Sequence, residues 1–370
     1  QNTAVGSLAL DAHTVGQDCT AIGYDALGAN TVASHNTAVG SFTLSANTTG
    51  DNNTALGRAS LNNNTASNNT GVGYNSLVLN TTGANNTAVG SSALDANTTG
   101  SENVAIGDDA LGANTTASTN TSVGYHSMFS NTIGANNVAL GGAALLNNTS
   151  ASNNTALGKG AMQANTTGAS NVAVGSLALD ANTTGERNTA LGFDAIGANS
   201  TGGKNVAVGA YALDANTTAN DNVAVGDASL TDNTTGNQNV AVGRLALHRN
   251  TTASNNVGIG YNALFANTTG TNNTALGSLA LDANTTASHN TAIGNQSIGA
   301  NTTGEANTAL GQGTLSSNTT ASNNTAIGRQ ALNQNTTGTQ NTAVGAYALD
   351  ASTTGSYNSG FGYLSLSANN

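Results

Sequence analysis

The stretch ALDANTTGSENVAIG, residues 93–107, holds one leucine, one valine, one isoleucine and two acidic side chains among Ala, Asn, Thr, Ser and Gly. Close variants of it return along the whole chain. Glycines mark the period: they stand at 6, 23, 40 and 57, then at 73, 90 and every seventeenth residue to Gly362. The single irregular step, sixteen residues from Gly57 to Gly73, arises because NNTASNN there has one Thr fewer than the NTTASNN found elsewhere. With each of these glycines as position 0, the unit reads G-x-x-A-L-x-A-N-T-T-G/A-x-x-N-T/V-A-V/I/L. Position 4 is Leu, Ile or Met throughout, position 16 is Val, Ile or Leu except at Phe361, and positions 3 and 15 are always small. A fixed period of this kind is the mark of a repeat architecture, in which each unit buries its apolar face against the next.

The composition agrees. Charged residues are 7% of the 370, against about 25% in an ordinary soluble protein, and Pro and Trp are absent. Seven basic and eighteen acidic side chains give a formal charge of -11. That leaves no basic patch for phosphates, which argues against nucleic acid and anionic membrane as partners. No apolar run approaches the roughly 18 residues of a membrane span, and a lone cysteine, Cys19, has no internal disulfide partner. All the charges fall at positions 1, 2, 5, 6, 11 and 12 of the unit. The other eleven columns are therefore expected to be desolvated or tightly packed, because a buried unpaired charge is costly.

Seventeen residues are too few for the helix pair of a helical repeat, and Gly, Asn and Thr at fixed places are poor helix formers. The runs NTAVG and ALDAN, bounded by Gly and Asn-Thr-Thr-Gly, read as strand, turn, strand, turn. One unit then makes one coil. The expected fold is all-β, a parallel β-solenoid of about 22 coils filling residues 1–370 as one continuous domain, with Leu94 directly under Leu111. Positions 4 and 16 are expected to form the core, which would turn the small columns 3 and 15 outward as an Ala/Ser strip for lateral contact. Stacked amides at position 13, including Asn36, Asn53, Asn86, Asn103, Asn171, Asn205, Asn239 and Asn273, are expected to bond along the axis. Cys19 breaks that column and is expected to fill one rung as a buried thiol, the alternative being an interchain disulfide.

Units such as NTAVGSSALDANTTGSENVAIG and NVAIGDDALGANTTASTNTSVGYHSM resemble the head repeats of YadA-like trimeric autotransporter adhesins and the related repeats of phage tail-fibre proteins. The resemblance covers the whole chain and rests on the N-x-A-hydrophobic-G core. It implies a left-handed β-roll assembled as a trimer on a bacterial surface or fibre.

Few residues point to chemistry. The five histidines, His13, His35, His126, His248 and His289, lie in several columns with no metal-ligand spacing. Asp at position 5, as at Asp11, Asp95, Asp180, Asp214, Asp282 and Asp350, reads as a solvated face. No nucleophile elbow, phosphate loop or carboxylate cluster marks an enzyme, and no cofactor is implied. Tyrosines gather just after the repeat glycine, at Tyr24, Tyr74, Tyr125, Tyr261 and Tyr363, as a candidate strip for carbohydrate. The Asn-Thr-Thr turn supplies candidate glycosylation sequons at Asn47, Asn80, Asn97, Asn114, Asn165, Asn182, Asn216, Asn250, Asn267, Asn284, Asn301, Asn318 and Asn335. Further sequons arise at Asn52, Asn68, Asn85, Asn153, Asn272 and Asn323, and the alternative for the position-7 residues is an inward amide ladder.

These readings converge on an extracellular or cell-surface fibre or adhesin shaft whose main partner is itself, side by side as a homo-oligomer and, since Gln1 and Asn370 both fall mid-coil, end to end as a filament. The start at Gln1 fits either a processed, exported product or a segment of a longer chain. The alternative reading is an ice-binding solenoid using Thr ladders. It is weakened by the paired Thr at positions 8 and 9, which would face opposite ways along a strand.

Overall fold

A computed structural model describes residues 1–367; the filament seam expected at Asn370 lies outside them. The fold is an all-β parallel β-solenoid, with twenty-two three-residue strands, one per repeat unit, and no helix among the described residues. Contacts divide the chain into two compact units, Gln1–Glu186 and Arg187–Asn370. The first carries β1 (Thr3–Val5) to β11 (Val172–Val174), and the second β12 (Thr189–Leu191) to β22 (Ser359–Phe361). Within each unit every strand pairs with the next in parallel and in register. Thr87, Ala88 and Val89 face Val104, Ala105 and Ile106 in the first unit, and Thr274, Ala275 and Leu276 face Thr291, Ala292 and Ile293 in the second. At about 4.8 Å per rung, eleven coils extend each unit about 50 Å along its coil axis.

The rungs continue far beyond the strands. At position 4 the amide of Leu94 donates to the Ala110 carbonyl at 3.1 Å, and at position 8 that of Thr98 donates to the Thr115 carbonyl at 2.9 Å. At positions 2 and 12 the bonds run the other way, Asp109 to Ser91 and Glu102 to Ala84, both at 3.0 Å. Nearly the whole contour of a coil is thus bonded to its neighbours, which meets the backbone's demand for partners without long strands.

This contour corrects the expected second strand. ALDAN forms consecutive turns, and only positions 14–16 are strand. Positions 2, 4 and 12 hold the left-handed backbone, as at Asp109 (φ 52°), Leu111 (φ 56°) and Glu102 (φ 61°). Even the β-branched Ile196 and Ile298 take it, at φ 55° and 51°. An L-residue pays about 1–2 kcal/mol for that conformation, and here the ladder bonds on either side hold it in place. Position 0 demands more: Gly90 has φ 142°, and a Cβ there would sit 2.3 Å from the carbonyl oxygen of Gly107 in the next coil. Only glycine fits both requirements.

The core is also arranged differently from expectation. Leu94 and Leu111 do lie buried in one stripe, but position 15 points inward beside them, with Ala88, Ala105 and Ala139 fully buried. Position 3 is buried too, as at Ala93 and Ala110. Position 16 faces out: Leu56 is 48% exposed and Leu191 45%. The reason is the thinness of the coil. A Cβ added at Gly71 or Gly258, both at position 15, would already lie 3.2 Å from the Cγ of Leu61 or Leu247 across the interior. One large side chain from position 4 fills the section, leaving room opposite for nothing bigger than Ala or Ser. The Ala/Ser strip expected outside is therefore the inner wall.

Candidate interaction surface

Turning the strand inside out creates the molecule's main outward feature. Along each unit, position 16 presents Val, Ile or Leu and position 14 presents Thr or Val on one face, with Phe361 and Ser359 in their places in the last strand. Ile106, Leu140 and Leu157 stand 40–43% exposed in the first unit, and Leu276 and Leu310 43–44% in the second. No charged residue occupies either column. The charge-free columns are thus of two kinds, and the sequence signal for desolvation fits positions 3, 4, 7, 13 and 15 but not this face.

Bonded amides flank the strands. At position 13, Asn86 Nδ2 donates to the Gly100 carbonyl of the next coil at 2.9 Å, and its Oδ1 accepts the backbone amide of Asn103 at 3.0 Å. At position 7, Asn97 Nδ2 donates to the same Gly100 carbonyl at 2.9 Å and to Asn80 Oδ1 at 2.7 Å. Two amide columns therefore meet at the position-10 carbonyl, as at Gly100. Asn36, Asn53, Asn86, Asn103, Asn171, Asn205, Asn239 and Asn273 are all fully buried. So are Asn47, Asn80, Asn97, Asn114, Asn165, Asn182, Asn216, Asn250, Asn267, Asn284, Asn301, Asn318 and Asn335. Where both Nδ2 hydrogens are spent, as at Asn97, the folded coil has no room or bond for a glycan. N-x-T asparagines that do reach solvent include Asn52, Asn68, Asn85, Asn153, Asn272 and Asn323 at position 12 and Asn147 at position 6.

The threonine pair does separate, in a different way from a strand alternation. Position-8 hydroxyls donate along the axis, Thr98 Oγ1 to the Thr115 carbonyl at 3.0 Å, while position 9, as at Thr99, is exposed. In the first full coil His13 and Cys19 replace both amides. Asn30 Nδ2 lies 3.1 Å from His13 Nδ1 and 3.9 Å from Cys19 Sγ, and the thiol is buried.

At Asp95 and Asp282, position 5 is less solvated than the sequence reading has it, while Asp11 is exposed. Burial, the dominant influence, pushes the Asp95 carboxyl above the ordinary carboxylate range; the Ala96 amide opposes this and the Asp109 charge adds to it. Asp282 is raised by burial as well. Coil stacking also assembles one group no linear spacing reveals: Asp108, Asp109 and His126 have ligand atoms within 4.8 Å of one another. His126 Nε2 already pairs with Asp109 Oδ2 at 3.2 Å, and its ring stacks on Tyr125. The histidine thus already has a hydrogen-bond partner and a ring neighbour within the group. The tyrosines after the repeat glycine are exposed, Tyr125 at 60%, and neighbouring coils pair aromatics edge to face, as in Tyr24 with Phe42 and Phe193 with Tyr211.

Comparison with protein-family models and with curated proteins found no match.

Proposed function

We propose that this chain is an extracellular structural shaft, of a fibre or adhesin, whose copies associate side by side through the strand face. The observation that carries the reading is the outward column of Val, Ile and Leu at position 16, exposed by 40% or more at Ile106, Leu157 and Leu310. An uncharged apolar face continuous along a unit is what soluble monomers avoid and interfaces use. It replaces the Ala/Ser strip as the contact surface. The resemblance to adhesin heads and tail-fibre repeats supports three copies around one axis. The role is mechanical and binding, with no catalytic step, no cofactor, no nucleic acid and no membrane insertion. Exposed tyrosines such as Tyr125 suit surface carbohydrate as a secondary partner.

Sedimentation of the purified chain tests this. Copies should associate at micromolar concentration, and Leu157→Lys with Leu310→Lys should disperse them; a parent chain that stays monomeric at tens of micromolar would overturn the reading.

One observation favours a second reading, ice binding. Fourteen of the twenty-two strands begin with Thr, which makes outward rows of Thr-x-aliphatic rather than the position 8 and 9 array. Thermal hysteresis in the dispersed double-lysine variant's parent, measured at matched concentration, separates the two: activity there supports ice, and its absence with association supports the shaft.

A further inference from the structure

Coil stacking brings three ligand-type side chains together in the first unit. Asp109 and His126 occupy position 2 of successive coils, both with a left-handed backbone at φ 52°, and Asp108 precedes Asp109 at position 1. One shared conformation in adjacent coils sets the two side chains together: His126 Nε2 lies 3.2 Å from Asp109 Oδ2. One ligand atom from each of the three residues falls within 4.8 Å of the others. The backbone fixes the spacing, since the His126 amide donates to the Asp108 carbonyl at 3.1 Å. Neighbouring rings fix the imidazole, which stacks on Tyr125 at 3.8 Å between centroids and lies 5.2 Å from Phe129. Among the described residues no other three histidine, cysteine or carboxylate side chains come this close.

A second observation, independent of that geometry, is the lack of a counter-charge. No Lys or Arg occurs between Arg58 and Lys159, a span that holds Asp95, Glu102, Asp108 and Asp109. Elsewhere the solenoid neutralises the same position: Asp227, at position 1 like Asp108, meets Arg244 Nε of the next coil at 3.3 Å. The next coil offers Asp108 only Tyr125 at that position. The Asp109 charge is felt at Asp95 in the preceding coil, where it adds to the upward push on that carboxyl.

We propose that Asp108, Asp109 and His126 bind one divalent transition-metal ion of the zinc type. Bonds of about 2.0–2.1 Å at tetrahedral angles set ligand atoms about 3.3 Å apart, close to the Nε2–Oδ2 separation already present. The imidazole nitrogen selects zinc, copper or nickel over calcium and magnesium, which take oxygen ligands. The ion replaces the hydrogen between Nε2 and Oδ2, so that His126 coordinates through its Nε2 lone pair and keeps its ring proton on Nδ1. The two carboxylates neutralise the dication, and water completes the shell. Bound there, the ion ties one coil to the next at the surface, and no reaction is assigned to it. The site is independent of how copies associate, so it adds to the shaft reading without resting on it.

Calorimetric titration of zinc into the full chain tests this. One ion per chain should bind at micromolar concentration. Asp108→Asn with His126→Gln should weaken that binding about tenfold or more, as even the outer partners of a metal site contribute that much. His248→Gln, which removes a ring stacked on Phe265 in the other unit, should leave it unchanged. Asp108 is exposed and His126 partly so, so the metal-free double variant should melt with the parent, which separates loss of ligands from loss of fold. With cobalt(II) as a second probe, visible absorption bands of the parent should disappear in His126→Gln. A parent that takes up no zinc at tens of micromolar, stoichiometric binding that survives the double variant, or calcium bound as tightly as zinc would each overturn the site.

Discussion

The amide column at position 13 and the aliphatic column at position 16 lie three residues apart in sequence and have exchanged their usual places. Asn103 is fully buried while Ile106 is 40% exposed. In most domains the amide would be outside and the isoleucine inside. The difference shows what each column contributes. Identical amides one rung apart satisfy one another and the turn carbonyls, so burial leaves most of them bonded on both ends, Asn30 and Asn335 being exceptions at Oδ1. The aliphatics of position 16 contribute little inside one coil because the section is already filled by position 4. Bonded order holds the coil together, and apolar surface is left over for a partner.

If that division is right, substitutions in the two columns should fail in different ways. The largest effect is expected from Asn97→Asp, which sets a carboxylate against Asn80 Oδ1 and the Gly100 carbonyl. An uncompensated buried charge costs about 3–5 kcal/mol, and chemical unfolding should show the first unit losing at least that. Next comes Leu111→Ala, expected to cost about 2–5 kcal/mol for a core cavity, measured the same way. Leu157→Ser, on the outer column, should leave the dispersed chain within about 0.5 kcal/mol of the parent yet weaken association in sedimentation. A loss of stability equal to that of Leu111→Ala would erase the contrast between the faces.

The smallest effect concerns pH. A carboxyl raised by burial binds its proton more tightly folded than unfolded, so its stabilising share is complete at low pH and is lost as pH rises through the folded value. Asp95→Asn should therefore raise the melting temperature slightly at neutral pH, and the gain should vanish as the pH falls below the ordinary carboxylate range. A gain that is the same at both ends would mean Asp95 is not desolvated.

Much of this was legible in the residues. The glycine period gave the coil, Leu94 and Leu111 the buried stripe, and repeated Asn at positions 7 and 13 the amide columns. Even the shortened unit keeps step: β4 (Thr54–Leu56) and β5 (Thr70–Val72) pair in register across the missing residue, because the loss falls in the turn, where Asn64 Nδ2 reaches the Ala66 carbonyl at 2.7 Å instead. What could not be read was which side of the strand faces in. Hydrophobicity placed position 16 inside, but the left-handed residues at positions 2 and 4 swing Leu across a coil too thin for two large side chains. Left-handed leucine carries no signal in sequence, since nothing about Leu111 favours φ 56°. The Asp108, Asp109 and His126 group was equally hidden, being neighbours only one coil apart in space.

The orientation of the strand underlies the core and the interface together. Maleimide labelling of Ala105→Cys and Ile106→Cys, each with Cys19→Ser, measures it at adjacent residues of β7 (Val104–Ile106). Ile106→Cys should label readily at concentrations where the chain is dispersed and become protected as copies associate, while Ala105→Cys resists throughout. Faster labelling at Ala105→Cys would put the small column outside and contradict the account.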